Sequence, residues 1–352
     1  MRTFVLLVAA AAAALAQTGS PIPEAVRGPR QQDLMNFDVN LAVTGRVLLE
    51  DREPPPEPVP VEYSCRGAVH AVMTDTKGRF SIPVGTQEAS RSADVTDRSI
   101  VEGCRVQIRI PGFEEVLVPV KAPNKIASLT VGDLTLKQNS PQAGAVFSAS
   151  GRSAPPKARA SFVKAFEAMN ARKYPEALAA LDKAIQAYPQ YASAMELRGN
   201  ALEFTGQRAA ARAAYQQAAA ADPAYVTPLV QLAEMAAEDQ NAGEAAQWAA
   251  KATQMVPGGY PGLYLIEGSS DMILGRIADA EKAARAGIEA DPKGTCPGLR
   301  KLMGEVLFRK GSYGLALDQF EWYLKEAPDA ADASSAQQRA QTCKRLVKAA
   351  SN

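Results

Sequence analysis

Residues 192–225 read ASAMELRGNALEFTGQRAAARAAYQQAAAADPAY, and the order of residue types in this stretch predicts two packed helices. Ala, Leu, Glu, Gln and Arg dominate it, and these residues favour helices. Gly206 interrupts the helical pattern and Pro223 ends it, because proline cannot continue a helix. Gly199 and Ala211 supply small side chains where the two helices must approach closely. The stretch is therefore expected to form a helix hairpin.

The proline that ends this stretch recurs along the C-terminal half of the chain. Five prolines are separated by 34, 34, 35 and 36 residues: Pro189, Pro223, Pro257, Pro292 and Pro328. Twelve positions before each proline stands a small residue: Ala177, Ala211, Ala245, Ala280 and Ala316. A second small residue recurs at the centre of each first helix: Ala165, Gly199, Ala233, Gly268 and Gly304. Because one helix pair cannot bury its apolar face alone, the pairs are expected to stack into an α-solenoid.

A period near 34 residues with small residues at these positions resembles the tetratricopeptide repeat (TPR). The resemblance implies five helix hairpins, at residues 158–191, 192–225, 226–260, 261–296 and 297–330. The amphipathic segment 331–352 is expected to form a helix that caps the open end. TPR arrays bind peptides or proteins in the concave groove lined by the first helices of the repeats. Transferred position by position, the groove residues here are Arg159, Phe162, Phe166, Met169, Glu196, Asn200, Glu203, Val230, Glu234, Leu265, Ser269, Met272, Lys301, Glu305 and Phe308.

The side chains of this predicted groove indicate a kind of partner. The groove is apolar at both ends with acids between them, which suits an apolar or mildly basic segment. One variant of the family clamps a C-terminal carboxylate with paired Lys and Asn; only Asn200 fits that pattern, so a carboxylate clamp is not expected. Phe162 and Phe166 have a second interpretation, in which they pack against the linker or the preceding domain.

Residues 40–137 have a different composition, rich in Val, Thr, Pro and Gly, which suits strands and turns. Six or seven short strands with frequent turn signals predict a β-sandwich. Residues 71–84 read as a hairpin around the turn Asp75 to Gly78. The proline-rich segment 53–60 is expected to be an extended, polyproline-like connection. The fold class is thus multidomain β + α, with residues 138–157 as a linker.

The motif Thr74-Asp75 through Gly78-Arg79-Phe80-Ser81 resembles the hairpin of carboxypeptidase regulatory-like domains, which have an immunoglobulin- or transthyretin-like β-sandwich fold. Pro111-Gly112-Phe113 resembles a later turn of that family, and residues 128–136 its closing strand. The resemblance implies a non-catalytic module appended to other domains. The proline-rich segment and residues 87–99 are insertions relative to a minimal member, and they either bind a ligand or are surface loops.

The N-terminus has the pattern of a secretory signal peptide at residues 1–16. Met1 and Arg2 precede the apolar segment Phe4 to Leu15, and Ala14-Leu15-Ala16 predicts cleavage before Gln17. An apolar segment this short is below the roughly 20 residues that cross a bilayer. Residues 17–39 are then a flexible lead-in, and the mature protein is expected to be periplasmic or extracellular, without a transmembrane segment.

In an oxidising compartment an even number of cysteines suggests disulfides, and this chain has four. Cys65 and Cys104 both lie in strand-like segments of the β-rich half and form the first expected pair. A bridge between Cys296 and Cys343 stays open, since one precedes a predicted helix and the other lies within the last helix.

Composition excludes several classes of function. With 39 Lys and Arg against 38 Asp and Glu, the formal charge of +1 argues against binding of nucleic acid by bulk electrostatics. His70 is the single histidine, so a His-dependent triad or a multi-histidine metal site is not expected, and no cofactor is implied. A carboxylate-only enzyme such as a glycosidase stays open.

Two function classes follow from these observations. The first is a non-catalytic, extracytoplasmic scaffold that binds a protein or peptide partner of unknown identity in the TPR groove. The alternative is a cell-surface or carbohydrate-binding protein with the β-sandwich as the binding head and the repeats as a spacer.

Overall fold

The computed structural model describes residues 42–65, 67–83, 101–110, 113–121, 129–138 and 146–350. These residues form two compact units, with the boundary between Tyr225 and Val226. The predicted signal peptide, the lead-in and the insertion at 87–99 lie outside the described residues. Of the helices that are described, none combines the length and the apolar character needed to span a membrane.

The first unit begins with seven strands in two sheets. The strands are Ala42–Leu49 (β1), Pro60–Cys65 (β2), Ala68–Met73 (β3), Arg79–Pro83 (β4), Arg105–Ile108 (β5), Val116–Pro119 (β6) and Leu129–Leu136 (β7). One sheet has the order β4-β1-β7 and the other the order β3-β2-β5-β6. All pairings are antiparallel except that of β1 with β7, which is parallel.

Alternating apolar residues from both sheets share one core. Val43 and Phe80 come from the first sheet, and Val61 and Val106 from the second, and all four are almost fully buried. Gly45 of β1 leaves room for this packing, because a Cβ atom there would lie 2.6 Å from the Phe80 ring. A β-rich first half with a core of its own is therefore confirmed. The carboxypeptidase regulatory-like assignment stays a prediction.

The predicted hairpin at residues 71–84 is wrong in its pairing, although its turn is correct. Asp75 Oδ1 accepts hydrogen bonds from the backbone N–H groups of Lys77 (2.8 Å) and Arg79 (2.9 Å), and Gly78 has a φ of 72°. However, β3 pairs with β2 whereas β4 pairs with β1, so the turn carries the chain from one sheet to the other. The Val47 N–H donates to the Gly78 carbonyl at 2.7 Å, which draws β4 to the β1 sheet.

Twelve helices follow among the described residues. In the first unit they are Ala149–Ser153 (α1), Pro156–Asn170 (α2), Tyr174–Ala187 (α3), Ala192–Phe204 (α4) and Arg208–Ala221 (α5). In the second unit they are Thr227–Glu238 (α6), Ala242–Met255 (α7), Pro261–Ile273 (α8), Ile277–Ala290 (α9), Gly298–Arg309 (α10), Tyr313–Glu326 (α11) and Ala333–Ala350 (α12). The five predicted helix pairs and the terminal helix are all present. Helix α1 lies inside the segment predicted as a linker.

The turns between paired helices share one backbone feature. One residue in each has a positive φ, at the same position of every repeat: Arg172, Gly206, Gln240, Gly275 and Gly311. Glycine adopts this conformation without steric cost, whereas other residues do so rarely. Gly206, which interrupts the helical pattern of the sequence, therefore lies in such a turn, and two of the other repeats make the same turn with larger residues.

The small residues of the repeat pattern make room for large ones. A Cβ atom on Gly199 would lie 2.3 Å from the Tyr215 ring, and one on Gly304 would lie 2.9 Å from the Phe320 ring. Tyr215 and Phe320 are themselves fully buried. In these two pairs the helices thus approach closely where the sequence places glycine opposite an aromatic ring.

Candidate functional site

The predicted groove residues divide into a buried set and a half-exposed set. Nine are buried: Phe162, Met169, Glu196, Val230, Leu265, Ser269, Met272, Lys301 and Glu305. Six are half-exposed: Arg159, Phe166, Asn200, Glu203, Glu234 and Phe308. Only the second set presents side chains that a partner could touch without rearrangement.

In the first unit, α2 and α4 are the neighbouring first helices and contact each other. Phe162 of α2 is buried against Tyr191, with ring centroids 5.1 Å apart, and 6.2 Å from the ring of Phe166. Phe162 therefore packs on the residue that precedes α4 rather than lining an open surface. Phe166 stays half-exposed one turn further along the helix.

A polar network on α4 surrounds Asn200. Its Nδ2 donates to Glu196 Oε1 at 2.8 Å, and its Oδ1 lies 2.7 Å from the Tyr215 hydroxyl. That hydroxyl also lies 2.6 Å from Glu203 Oε2. Burial raises the pKa of Glu196 to about 7, although hydrogen bonds to its ionised form act in the opposite direction. The network fixes Asn200 in one orientation between two carboxyl groups.

In the second unit, the predicted groove residues of α10 contact the C-terminal segment. Lys301 forms an ion pair with Asp332, which also accepts a hydrogen bond from the Tyr323 hydroxyl. Burial would raise the pKa of Asp332, but these two hydrogen bonds hold it below its usual value. Glu305 Oε1 accepts from Arg339 Nε of α12 at 3.2 Å, and the Arg339 guanidinium lies 4.8 Å from the Phe308 ring centroid. The chain's own last helix thus occupies this end of the predicted groove.

The proline-rich segment and the predicted linker form a structured contact that the sequence pattern did not reveal. Glu57 Oε1 accepts hydrogen bonds from the Ser148 N–H at 3.3 Å and from the Ser193 hydroxyl at the start of α4. Gly151 of α1 is buried there, and a Cβ atom on it would lie 3.2 Å from the Glu57 side chain and the Pro56 carbonyl oxygen.

Helix α1 is also tied to α4 and α5. Asp222, just after α5, accepts hydrogen bonds from the Ser148 hydroxyl at 2.7 Å and the Ala149 N–H at 3.0 Å. The Ala192 N–H at the start of α4 donates to the Ser150 hydroxyl at 3.0 Å. We call the contact made by Glu57, Ser148, Ser193 and Asp222 the Glu57 joint.

Two of the four cysteines and the single histidine lie in the β-rich half. Cys65 and Cys104 lie at disulfide distance, with Cα atoms 4.2 Å apart. His70 is exposed on β3. Within the described part of the chain, no three His, Cys, Asp or Glu side chains are grouped so that they could hold a metal ion.

The bridge left open between Cys296 and Cys343 is not formed. Cys343 is buried in a cluster with Phe320 and Ala340, while Cys296 packs beside Leu299 at the start of α10.

Comparison with known proteins identifies the repeats. The tetratricopeptide repeat model matches residues 162–225, 197–260 and 267–331. No curated protein matches the chain. These matched segments are tetratricopeptide repeats, as the 34-residue period predicts.

Among solved structures, several are similar to about half of this chain. YrrB, a TPR protein with an unusual peptide-binding site, is 18% identical and covers 51% of this chain and 90% of its own, with a TM-score of 0.45. MamA from Desulfovibrio magneticus RS-1 is 14% identical and covers 51% and 99%, with a TM-score of 0.44. PilW, a type IV pilus biogenesis factor, is 18% identical and covers 56% and 94%, with a TM-score of 0.41.

Proposed function

We propose that this chain, whose helical part consists of tetratricopeptide repeats, is a non-catalytic extracytoplasmic scaffold that binds a peptide or protein partner along the first helices of its repeats. The observation that carries the proposal is the face of α2 and α4. These two neighbouring helices present Arg159, Phe166, Asn200 and Glu203 half-exposed at groove positions of the repeat. An aromatic ring beside fixed polar groups is the combination that specific protein surfaces use.

The chemistry of this face favours a particular type of segment. Phe166 offers an apolar contact, Asn200 offers an oriented amide, and Glu203 offers a carboxylate to a basic group. Glu196 beneath them is held by Asn200 and buried, so it supports the surface rather than contacting a partner. The partner is therefore expected to bring an apolar side chain with a hydrogen-bonding or basic neighbour.

Binding rather than catalysis is supported by the residue inventory. Histidine is the side chain that most often serves as a general acid or base, and the single histidine of this chain, His70, is exposed on β3. Export is supported by Cys65 and Cys104 at disulfide distance, because disulfides persist in oxidising compartments.

Affinity capture with the full mature protein tests the proposal. The double variant Phe166→Ala/Asn200→Ala should recover at least tenfold less of a partner that the wild type captures from an envelope extract, since both side chains face the partner. The control variant Gln216→Ala/Gln217→Ala changes two exposed residues of α5 and should keep full recovery. Equal loss in both variants, or undiminished recovery by the groove variant, would contradict binding at this face. Binding of envelope polysaccharide by the wild type and the groove variant alike would favour the β-rich half as binding head.

A further inference from the structure

We propose that the Glu57 joint is a pH-sensitive contact, which fixes the proline-rich segment of the β-rich half to α1 and the second repeat while Glu57 is protonated and loosens when Glu57 ionises. The proposal concerns the coupling of the two parts of the first unit, so it does not depend on which partner the repeats bind.

The geometry makes Glu57 the central group of this contact. A single carboxyl oxygen receives the Ser148 N–H and the Ser193 hydroxyl, so it links the segment before α1 to the start of α4. Gly151 allows the approach, because any larger residue would meet the Glu57 side chain and the Pro56 carbonyl oxygen at 3.2 Å. Loss of this one side chain would therefore free the proline-rich segment from both α1 and α4, whereas Asp222 and Ser150 would still hold α1 to α4 and α5.

The groups that face Glu57 disfavour its negative charge. Glu196 from α4 and Asp222 from the end of α5 both act on it as like charges. Burial, and after it the charge of Glu57, raises the pKa of Tyr191. Arg152 of α1 forms an ion pair with Asp51 at 3.3 Å.

Burial, with the charges of Glu196 and Asp222 added, raises the pKa of Glu57 to about 8, although the hydrogen bonds from Ser193 and Ser148 act in the opposite direction. A carboxyl group with a raised pKa stabilises the closed joint fully below its ordinary pKa near 4.5. That contribution is lost progressively as the pH rises from there towards 8. The closed joint is therefore expected to be most stable in mild acid and least stable at alkaline pH.

Hydrogen exchange across a pH series tests the joint on the full mature protein. The readout is the protection factor of the Ser148 amide, which donates to Glu57. This factor is the ratio of intrinsic to observed exchange rate, so it removes the chemical effect of pH. In the wild type it should fall by up to about tenfold per pH unit between pH 5 and 8.

Two variants complete the experiment. Glu57→Gln keeps an acceptor oxygen without an ionisable group, so its Ser148 protection factor should stay constant with pH and exceed that of the wild type at pH 8 by about tenfold or more. Glu53→Gln, an exposed residue of the same segment, should follow the wild type. The amides of Val61 and Val106 in the β-sheets should be equally protected throughout, which separates local opening from unfolding.

Either of two results would overturn the proposal: constant protection of the Ser148 amide in the wild type from pH 5 to 9, or the same dependence on pH in Glu57→Gln as in the wild type.

Discussion

The turn residue between paired helices has a positive φ in all five hairpins, whether it is glycine, arginine or glutamine. For an L-residue this conformation costs about 1–2 kcal/mol. Arg172 and Gln240 therefore show that helix packing, rather than the turn residue, decides the path of the chain there. The sequence marks this position only where glycine occupies it, because arginine and glutamine carry no local signal for a left-handed turn.

Replacing one turn glycine should isolate this backbone cost. A Cβ atom on Gly275 would meet nothing within 4 Å, so Gly275→Ala should lower the free energy of unfolding by about 1–2 kcal/mol through φ alone. Gly314, in the first turn of α11, is equally open but lacks a positive φ. Gly314→Ala should therefore be neutral or raise the free energy of unfolding by up to about 1 kcal/mol. Urea unfolding followed by circular dichroism measures both; a shift of the same sign and size in the two variants would contradict the argument.

At the scale of elements, local signals predicted the paired helices and the turn at Asp75 to Gly78, but neither helix α1 nor the pairing of strands. The turn at Asp75 to Gly78 was predicted from side-chain chemistry, and that chemistry is confirmed. The partner of β4 depends on β1, about 35 residues earlier, and alternation of apolar residues is compatible with either sheet. The turn was therefore predicted correctly, but the hairpin inferred from it was wrong.

The same limit applies to the candidate site. The helical period predicted which residues lie at groove positions, but their exposure depends on neighbours that the period does not specify. Phe162 is covered by Tyr191, and Lys301 and Glu305 are engaged by the C-terminal segment. The Glu57 joint could not be predicted from the sequence, because a proline-rich segment has the same residue pattern whether it is a simple connection or packs against a helix such as α1.

The pairing of α10 with α12 gives a prediction for the second unit. Arg339→Ala should lower the free energy of unfolding by about 2 kcal/mol, because it leaves the Glu305 carboxylate buried without its ion pair. The pKa of Glu305 is already raised by burial and would rise further without Arg339. The loss of unfolding free energy in Arg339→Ala should therefore be larger at a pH where Glu305 is ionised than in acid, where it is protonated.

A second substitution serves as the control for this pair. Glu305→Gln in the Arg339→Ala background removes the buried charge and should recover about half of the loss or more. The double-mutant cycle is measured by urea unfolding at pH 7. A purely additive result would show that the two side chains do not interact.

At the scale of the whole molecule, Cys65 at the end of β2 and Cys104 just before β5 of the same sheet lie at disulfide distance, 39 residues apart in sequence. A disulfide there should stabilise the β-rich half by about 4 kcal/mol through the reduced entropy of the unfolded chain. Mass spectrometry of non-reduced peptides should link the two cysteines, and reductant should lower the urea midpoint of the wild type but not of Cys65→Ser. Two alkylatable thiols at these positions in the mature protein would remove both the bridge and its support for export.

The central claim is that the first helices of the repeats bind a partner, and site-specific photo-crosslinking in cells tests it most directly. A photoreactive phenylalanine derivative is placed at Phe166, at exposed Gln217 on α5, or at exposed Val69 on β3, in the full chain. The account predicts one discrete adduct from position 166, with none from 217 or 69. Adducts from Val69 alone, or the same adducts from all three positions, would contradict it.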